Sequence, residues 1–247
     1  MIKIYLLLTV IITATNCYSQ INNALIPVTK LENDFYNWNK RHNDVMHLTQ
    51  KQNVDLVFIG DSITHMFGGE PKSKIIRGGE FWKSYYAKFN PINMGFGWDR
   101  TQNVLWRITN GELENISPKV VVLMIGTNNF SGTKNARKNT PKEVAEAIEK
   151  ICKTIHQKLP EAQILLLSIL PRKNIKYIPL IQKTNKLISS LSEYNYIHYL
   201  NLYDRFILKN KLANNTLFMH DGVHPNKDGY KLWAETMNPT LTKLMNQ

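Results

Sequence analysis

From residue 54 onward the chain alternates between two hydrophobic periods. Short runs rich in branched apolar residues, at 54–59, 91–95, 120–125, 164–170 and 196–202, have the length and composition of strands. Between them, 80–89, 101–108, 141–159 and 178–194 carry apolar residues at helical spacing, and 226–245 adds a last helix. The helix at 141 has a clear start, with Thr140 as N-cap, Pro141 in the first position and Glu143 in the third. The run 120–125 has no polar face, so both of its sides are covered, as in a parallel sheet. The pattern predicts a three-layer α/β/α sandwich around a mainly five-stranded parallel sheet. A further amphipathic helix at about 31–50 precedes the first strand and is expected to pack on the outside. No repeat or Pro/Gly/Ser linker divides 20–247, which read as one domain.

The first 19 residues follow a different pattern: a lysine, an unbroken apolar run, then small and polar residues. They read as a secretory signal peptide cleaved after Ser19, too short in their apolar run to span a bilayer. The expected location is therefore secreted or periplasmic, with no transmembrane segment after signal removal. A lipid anchor on Cys17 ranks second, because Asn16 stands where lipoprotein signals place a small residue. Cys17 and Cys152 are the two cysteines, so cleavage leaves one thiol and no internal disulfide. The formal charge of +12 comes from lysines spread through every segment, without a nucleic-acid-binding signature, so nucleic acid is excluded as a partner.

In open parallel sheets the reactive groups lie just beyond the carboxyl ends of the strands. Gly60-Asp61-Ser62-Ile63-Thr64 follows the first run, and Ser62 there is either a nucleophile or a helix cap. Gly126-Thr127-Asn128-Asn129 follows the third, offering a neutral amide donor for an oxyanion or an Asx turn. Ahead of the last helix, Asp221 and His224 stand three residues apart with Gly222 between them. One short turn can hold that carboxylate against the imidazole Nδ1 and leave Nε2 free to face a hydroxyl. No set of residues at zinc spacing accompanies them, so neither metal nor cofactor is expected. Each stretch alone favours the bland reading; their shared position at one sheet edge favours the catalytic one.

With those blocks in place, the chain resembles an SGNH, or GDSL-type, hydrolase over roughly 54–245. Within that superfamily it is similar to the platelet-activating-factor acetylhydrolase catalytic-subunit group and its bacterial esterase relatives, most closely through 104–129. The resemblance implies a flavodoxin-like sheet, Ser62 as nucleophile, His224 as general base and acid, and Asp221 as its partner. It also implies an oxyanion hole built from the Ser62 N–H, the Asn128 side chain and the N–H of the residue before Asp99. In the family that residue is glycine; here it is Trp98. Since a backbone donor tolerates any side chain but a left-handed φ does not, Trp98 is expected at negative φ, with Gly95 and Gly97 absorbing the strain.

The implied reaction is hydrolysis of short acyl esters, chiefly acetyl. Gly97, Trp98, Arg100, Thr127 and Val223 are candidate substrate contacts, and the Trp98 indole is either a stacking platform or a wall against Gly68-Gly69. Export and the aromatic mouth point to an acetylated glycan. An acetyl-phospholipid is the alternative alcohol portion, and a non-catalytic glycan-binding protein is the alternative of another class.

Overall fold

The computed structural model describes residues 21–51 and 53–247. The signal segment 1–19 and Cys17 lie outside the described residues. Five strands, β1 (Leu56–Gly60), β2 (Pro91–Gly95), β3 (Val120–Met124), β4 (Gln163–Leu167) and β5 (Ile197–Leu200), form one all-parallel sheet in the order β2-β1-β3-β4-β5. This is the flavodoxin-like doubly wound order, whose switch point lies where β1 is flanked by β2 and β3.

Successive strand residues feed two separate cores. Val57, Ile59, Val121 and Leu123 face α4 (Thr101–Thr109), α5 (Pro141–Lys158) and α6 (Ile178–Ser189). Leu56, Phe58, Val120 and Val122 face α3 (Gly79–Tyr86) and α7 (Lys227–Met245). Both faces are dry, which accounts for runs without polar alternation, and each fully buried branched or aromatic side chain contributes about 1.5–3 kcal/mol.

Local chemistry sets the ends. Thr140 accepts from the Glu143 N–H at 3.2 Å and Glu143 returns a bond to the Thr140 N–H at 2.7 Å, the reciprocal cap that the sequence predicts. The predicted run 164–170 ends as a strand at Leu167, where the Ser168 Oγ turns to accept from the Tyr203 N–H. The expected 178–194 helix stops at Ser189 and tightens into a 3-10 turn. The N-terminal helix, α1 (Trp38–Lys51), starts later than expected because the Asn37 side chain accepts from the Lys40 N–H and caps it there. α1 does not merely cover the outside: it braces the turn after β2, as described next.

Candidate active site

β1 delivers the chain to Asp61, whose Oδ1 accepts from the Ile63 N–H at 2.9 Å and starts the one-turn helix α2 (Ser62–His65). The bland capping role thus belongs to Asp61, and burial pushes its carboxyl up to about 7. Ser62 is freed to point elsewhere. Its Oγ lies 2.8 Å from His224 Nε2, and His224 Nδ1 lies 2.8 Å from Asp221 Oδ2. A carboxylate only accepts, so Nδ1 carries the proton and Nε2 is the acceptor for the serine hydroxyl.

The loop carrying this pair is short and held by local bonds. Asp221 Oδ1 accepts from the N–H groups of Val223 and His224 at 2.8 and 2.9 Å. Partial burial works against its charge, but those donors and the imidazole hold the carboxyl below its usual range. Gly222 supplies the left-handed φ of +62° that brings the acid back under the histidine. Its carbonyl accepts from the Lys173 N–H at 2.9 Å, tying the loop to the segment after β4.

The turn after β2 reverses the expectation for its strain. Trp98 takes φ +63°, whereas neither Gly95 nor Gly97 is left-handed. Asp99 N–H reaches Phe96 O at 3.2 Å, so Trp98 occupies the third position of a turn of type II character, the place that demands positive φ. The glycines are required by close approach instead. A Cβ at Gly95 would lie 2.3 Å from the His65 nitrogen, and one at Gly97 would lie 1.8 Å from Asp34 Oδ2. Left-handed backbone on a bulky residue costs about 1–2 kcal/mol, so the surroundings must impose it.

They do so from several sides. Tyr36 OH donates to Gly97 O at 3.1 Å, and the Gly97 N–H donates to His65 Nδ1 at 3.3 Å. Burial, with Arg41 and Arg107 nearby, drives the His65 pKa down to about 2, so the ring is neutral and able to accept. Asp99 receives the Trp38 indole N–H and Arg107 Nε, both at 2.7 Å. Arg107 also pairs with Glu112, which meets His42 Nδ1 at 2.9 Å, and its guanidinium lies 3.9 Å over the Phe96 ring. Burial opposes the Arg107 charge, but Glu112 and Asp99 more than compensate and raise its pKa. Arg41 reaches Gly95 O and Asn93 O at 2.8 and 2.9 Å. Tyr36, Trp38, Arg41 and His42 all come from α1 and its approach.

β3 ends at the 3-10 turn Thr127–Phe130. Asn128 Nδ2 donates to Asp99 O at 3.0 Å, joining this turn to the strained one. Asn129 is a buried strut: its Nδ2 lies within bonding distance of Thr101, Gln102 and Asn139.

A cavity of about 240 Å³ opens over these groups, lined by Ser62, Trp98, Asn128, Asp221, Val223 and His224, together with Asp34, Met66, Ser131 and Arg172. Of the candidate substrate contacts, Trp98 and Val223 line it. Gly97, Arg100 and Thr127 do not. Arg100 is fully buried and donates to Ser131 O at 2.6 Å, and Thr127 Oγ1 accepts from Arg172 Nε at 2.9 Å. Trp98 is 40% exposed and lines the cavity, while the space over Gly69 is filled by Trp82, 2.4 Å from where a Cβ would stand. The sequence reading missed Asp34, Met66, Ser131 and Arg172. Arg172 was within reach of the strand-end rule, since it follows the fourth apolar run just as Ser62 follows the first. Among the described residues no His/Cys/Asp/Glu cluster has a metal-holding arrangement, and no helix is long and apolar enough to cross a membrane. Cys152 is buried in α5, which pushes its thiol up to about 12.

The GDSL-like Lipase/Acylhydrolase family model matches residues 58–232, a span that runs from β1 through the Asp221–His224 loop into α7. The chain belongs to this family. As a GDSL-like acylhydrolase it is a carboxylic ester hydrolase. Over 192 residues it is 34% identical to the human platelet-activating factor acetylhydrolase IB subunit alpha2, covering 78% of this chain and 70% of that one. The solved lipase/acylhydrolase from Enterococcus faecalis superposes with a TM-score of 0.58 at 22% identity, over 77% of this chain and 96% of that one. A mutant of an acetyl-xylooligosaccharide esterase from Geobacillus Stearmophilus gives 0.58 at 16%, over 78% and 94%. These likenesses bear out the GDSL resemblance and the α/β/α fold.

Proposed function

We propose that this acylhydrolase is a secreted or periplasmic serine esterase that removes acetyl groups from a glycan through Ser62, His224 and Asp221. The observation that carries the reading is the pair of 2.8 Å contacts on either side of His224. Ser62 Oγ attacks the ester carbonyl as its proton passes to His224 Nε2, and Asp221 stabilises the imidazolium. Collapse of the tetrahedral intermediate expels the alcohol, which takes that proton. Water deprotonated by the same histidine then releases acetate from the acyl-enzyme.

The oxyanion is assigned to the N–H groups of Ser62 and Trp98 and to the Asn128 amide. Among the described residues neither backbone N–H has an intramolecular partner, and Asn128 Nδ2 spends one hydrogen on Asp99 O and keeps the other. The carbonyl and N–H of a trans peptide point in opposite directions. Tyr36 OH on Gly97 O therefore turns the Trp98 N–H away from Tyr36, and this supports its role as a donor.

Ser62→Ala should abolish release of 4-nitrophenol from its acetate while the folded chain remains; surviving turnover overturns the mechanism. A rate falling from acetate to octanoate esters tests the acyl preference. The half-exposed Trp98 indole supports the glycan, because sugars pack apolar faces on aromatics. The name of the human relative favours a second reading, an acetyl-phospholipid. Acetate released from acetylated xylan or pectin, against release from acetyl-glycerophospholipid, decides between them.

A further inference from the structure

We propose that Arg172 is a substrate-binding residue that makes the cavity select acetyl esters whose alcohol portion carries an anionic group, a carboxylate or a phosphate. This rests on the esterase reading of the same cavity and adds the charge of its substrate.

Arg172 is 6% exposed and lines the cavity beside Ser62 and His224. Its acceptors are all neutral: Thr127 Oγ1 and O, each at 2.9 Å, and Ser131 Oγ at 3.1 Å. Its face stacks on Tyr177 at 4.4 Å. A guanidinium has five N–H groups, so two remain, one on each terminal nitrogen, the fork that matches two oxygens of a carboxylate or phosphate.

The contrast with Arg107 is decisive. Arg107 is fully buried and held between Asp99 and Glu112. Among the described residues no carboxylate pairs with Arg172: burial lowers its pKa, Tyr177 and Asp61 offset this only in part, and burial raises the Asp61 carboxyl itself to about 7. A second buried guanidinium, Arg100, lies behind the cavity wall and donates to the carbonyl oxygens of Ser131 and Arg137. A buried cation such as Arg172, held only by neutral partners at a cavity wall, is costly unless an anion arrives to share it.

Position gives the anion a direction. Arg172 follows β4 and grips the turn after β3, whereas Asp34 lies against Gly97 in the turn after β2. With the sheet order β2-β1-β3-β4, Ser62 after β1 stands between an acidic side and a cationic side. An ester whose alcohol bears an anion is oriented by that gradient, its charge toward β4.

The test compares charged and neutral partners in two arms: acetylated galacturonate against its acetylated methyl ester, and acetyl-glycerol 3-phosphate against acetyl-glycerol. The wild type should favour the charged member by about tenfold or more in kcat/KM, through KM, the size expected of a charge-assisted fork. The preference should shrink as salt rises. Arg172→Met should bring the ratio to about one, and Arg172→Lys should keep part of it. A preference in the first arm identifies a uronate-bearing glycan, and one in the second a glycerophosphate. Calorimetric titration of galacturonate and glycerol 3-phosphate into the wild type and Arg172→Met reads binding without turnover; tighter binding to the wild type is expected. A wild-type ratio near one in both arms, or an Arg172→Met protein that keeps the ratio and binding of the wild type, overturns the inference. If Arg172→Met does not fold, the wild-type ratios and titrations decide. Loss of this inference alone leaves neutral acetyl esters cleaved. Failure of the esterase reading leaves none cleaved.

Discussion

The turn at 95–99 and the loop at 220–225 serve the same pocket and are built in opposite ways. The Asp221 side chain is 45% exposed and its loop is shaped mainly by its own backbone N–H groups, whereas Asp99 is 2% exposed within a network drawing on α1, α4 and the turn after β3. The difference follows from what each must hold. Asp221 and His224 meet over three residues, so one left-handed glycine and two N–H donors suffice. The 95–99 turn must keep a tryptophan at φ +63°, a conformation its side chain resists, and only contacts from distant segments can impose it.

The largest effect should come from the lightly built loop. Asp221→Asn should reduce kcat by about 10⁴-fold, because an amide no longer enforces the tautomer with Nε2 free. Its Oδ1 still accepts from Val223 and His224, so urea unfolding should shift by less than about 1 kcal/mol. A variant that lost both activity and fold would erase the contrast.

In the braced turn the main cost should fall on stability. Arg107→Met leaves Asp99 and Glu112 buried without their cation and should destabilise the chain by about 3–5 kcal/mol in urea titrations. A smaller loss would show that apolar packing, not the ion network, holds the turn. Tyr36→Phe removes one hydroxyl and should lower kcat about tenfold at unchanged KM, since it loosens a proposed donor rather than a substrate contact. A rise in KM alone would make Tyr36 a wall of the pocket. Trp98→Gly should have the smallest effect on stability. Relief of left-handed strain, roughly 1–2 kcal/mol, is largely offset by the freedom glycine gains when unfolded. KM for bulky esters should rise with kcat nearly kept, and a large fall in kcat would contradict a backbone donor at this position.

Much of the pocket was legible because its parts are local. The strand-end rule leads to Ser62 and Asn128, each just beyond an apolar run, and the Asp-x-x-His spacing in a short polar turn leads to Asp221 and His224. Arg172 obeys the same rule but sits in a stretch, Leu170-Pro171-Arg172-Lys173, with no catalytic pattern to single it out. Asp34 and Tyr36 were illegible for another reason. They precede the first strand by more than a full element, and nothing in their neighbourhood shows that the chain folds back onto Gly97.

The order of strands and helices, the dry character of the sheet and the groups gathered at its carboxyl edge follow from the sequence alone, because periodicity, caps and turn residues act over a few positions. The sign of φ at Trp98 was decided otherwise. Two glycines before a tryptophan read as the flexible part of the turn, and local steric preference assigns the strain to them. In the folded chain His65 and Asp34 crowd against both glycines, while Tyr36, the His65 ring and the Asp99–Arg107 network carry the turn through Trp98. A local preference of 1–2 kcal/mol is outweighed by several long-range contacts, and only the tertiary structure brings those contacts together.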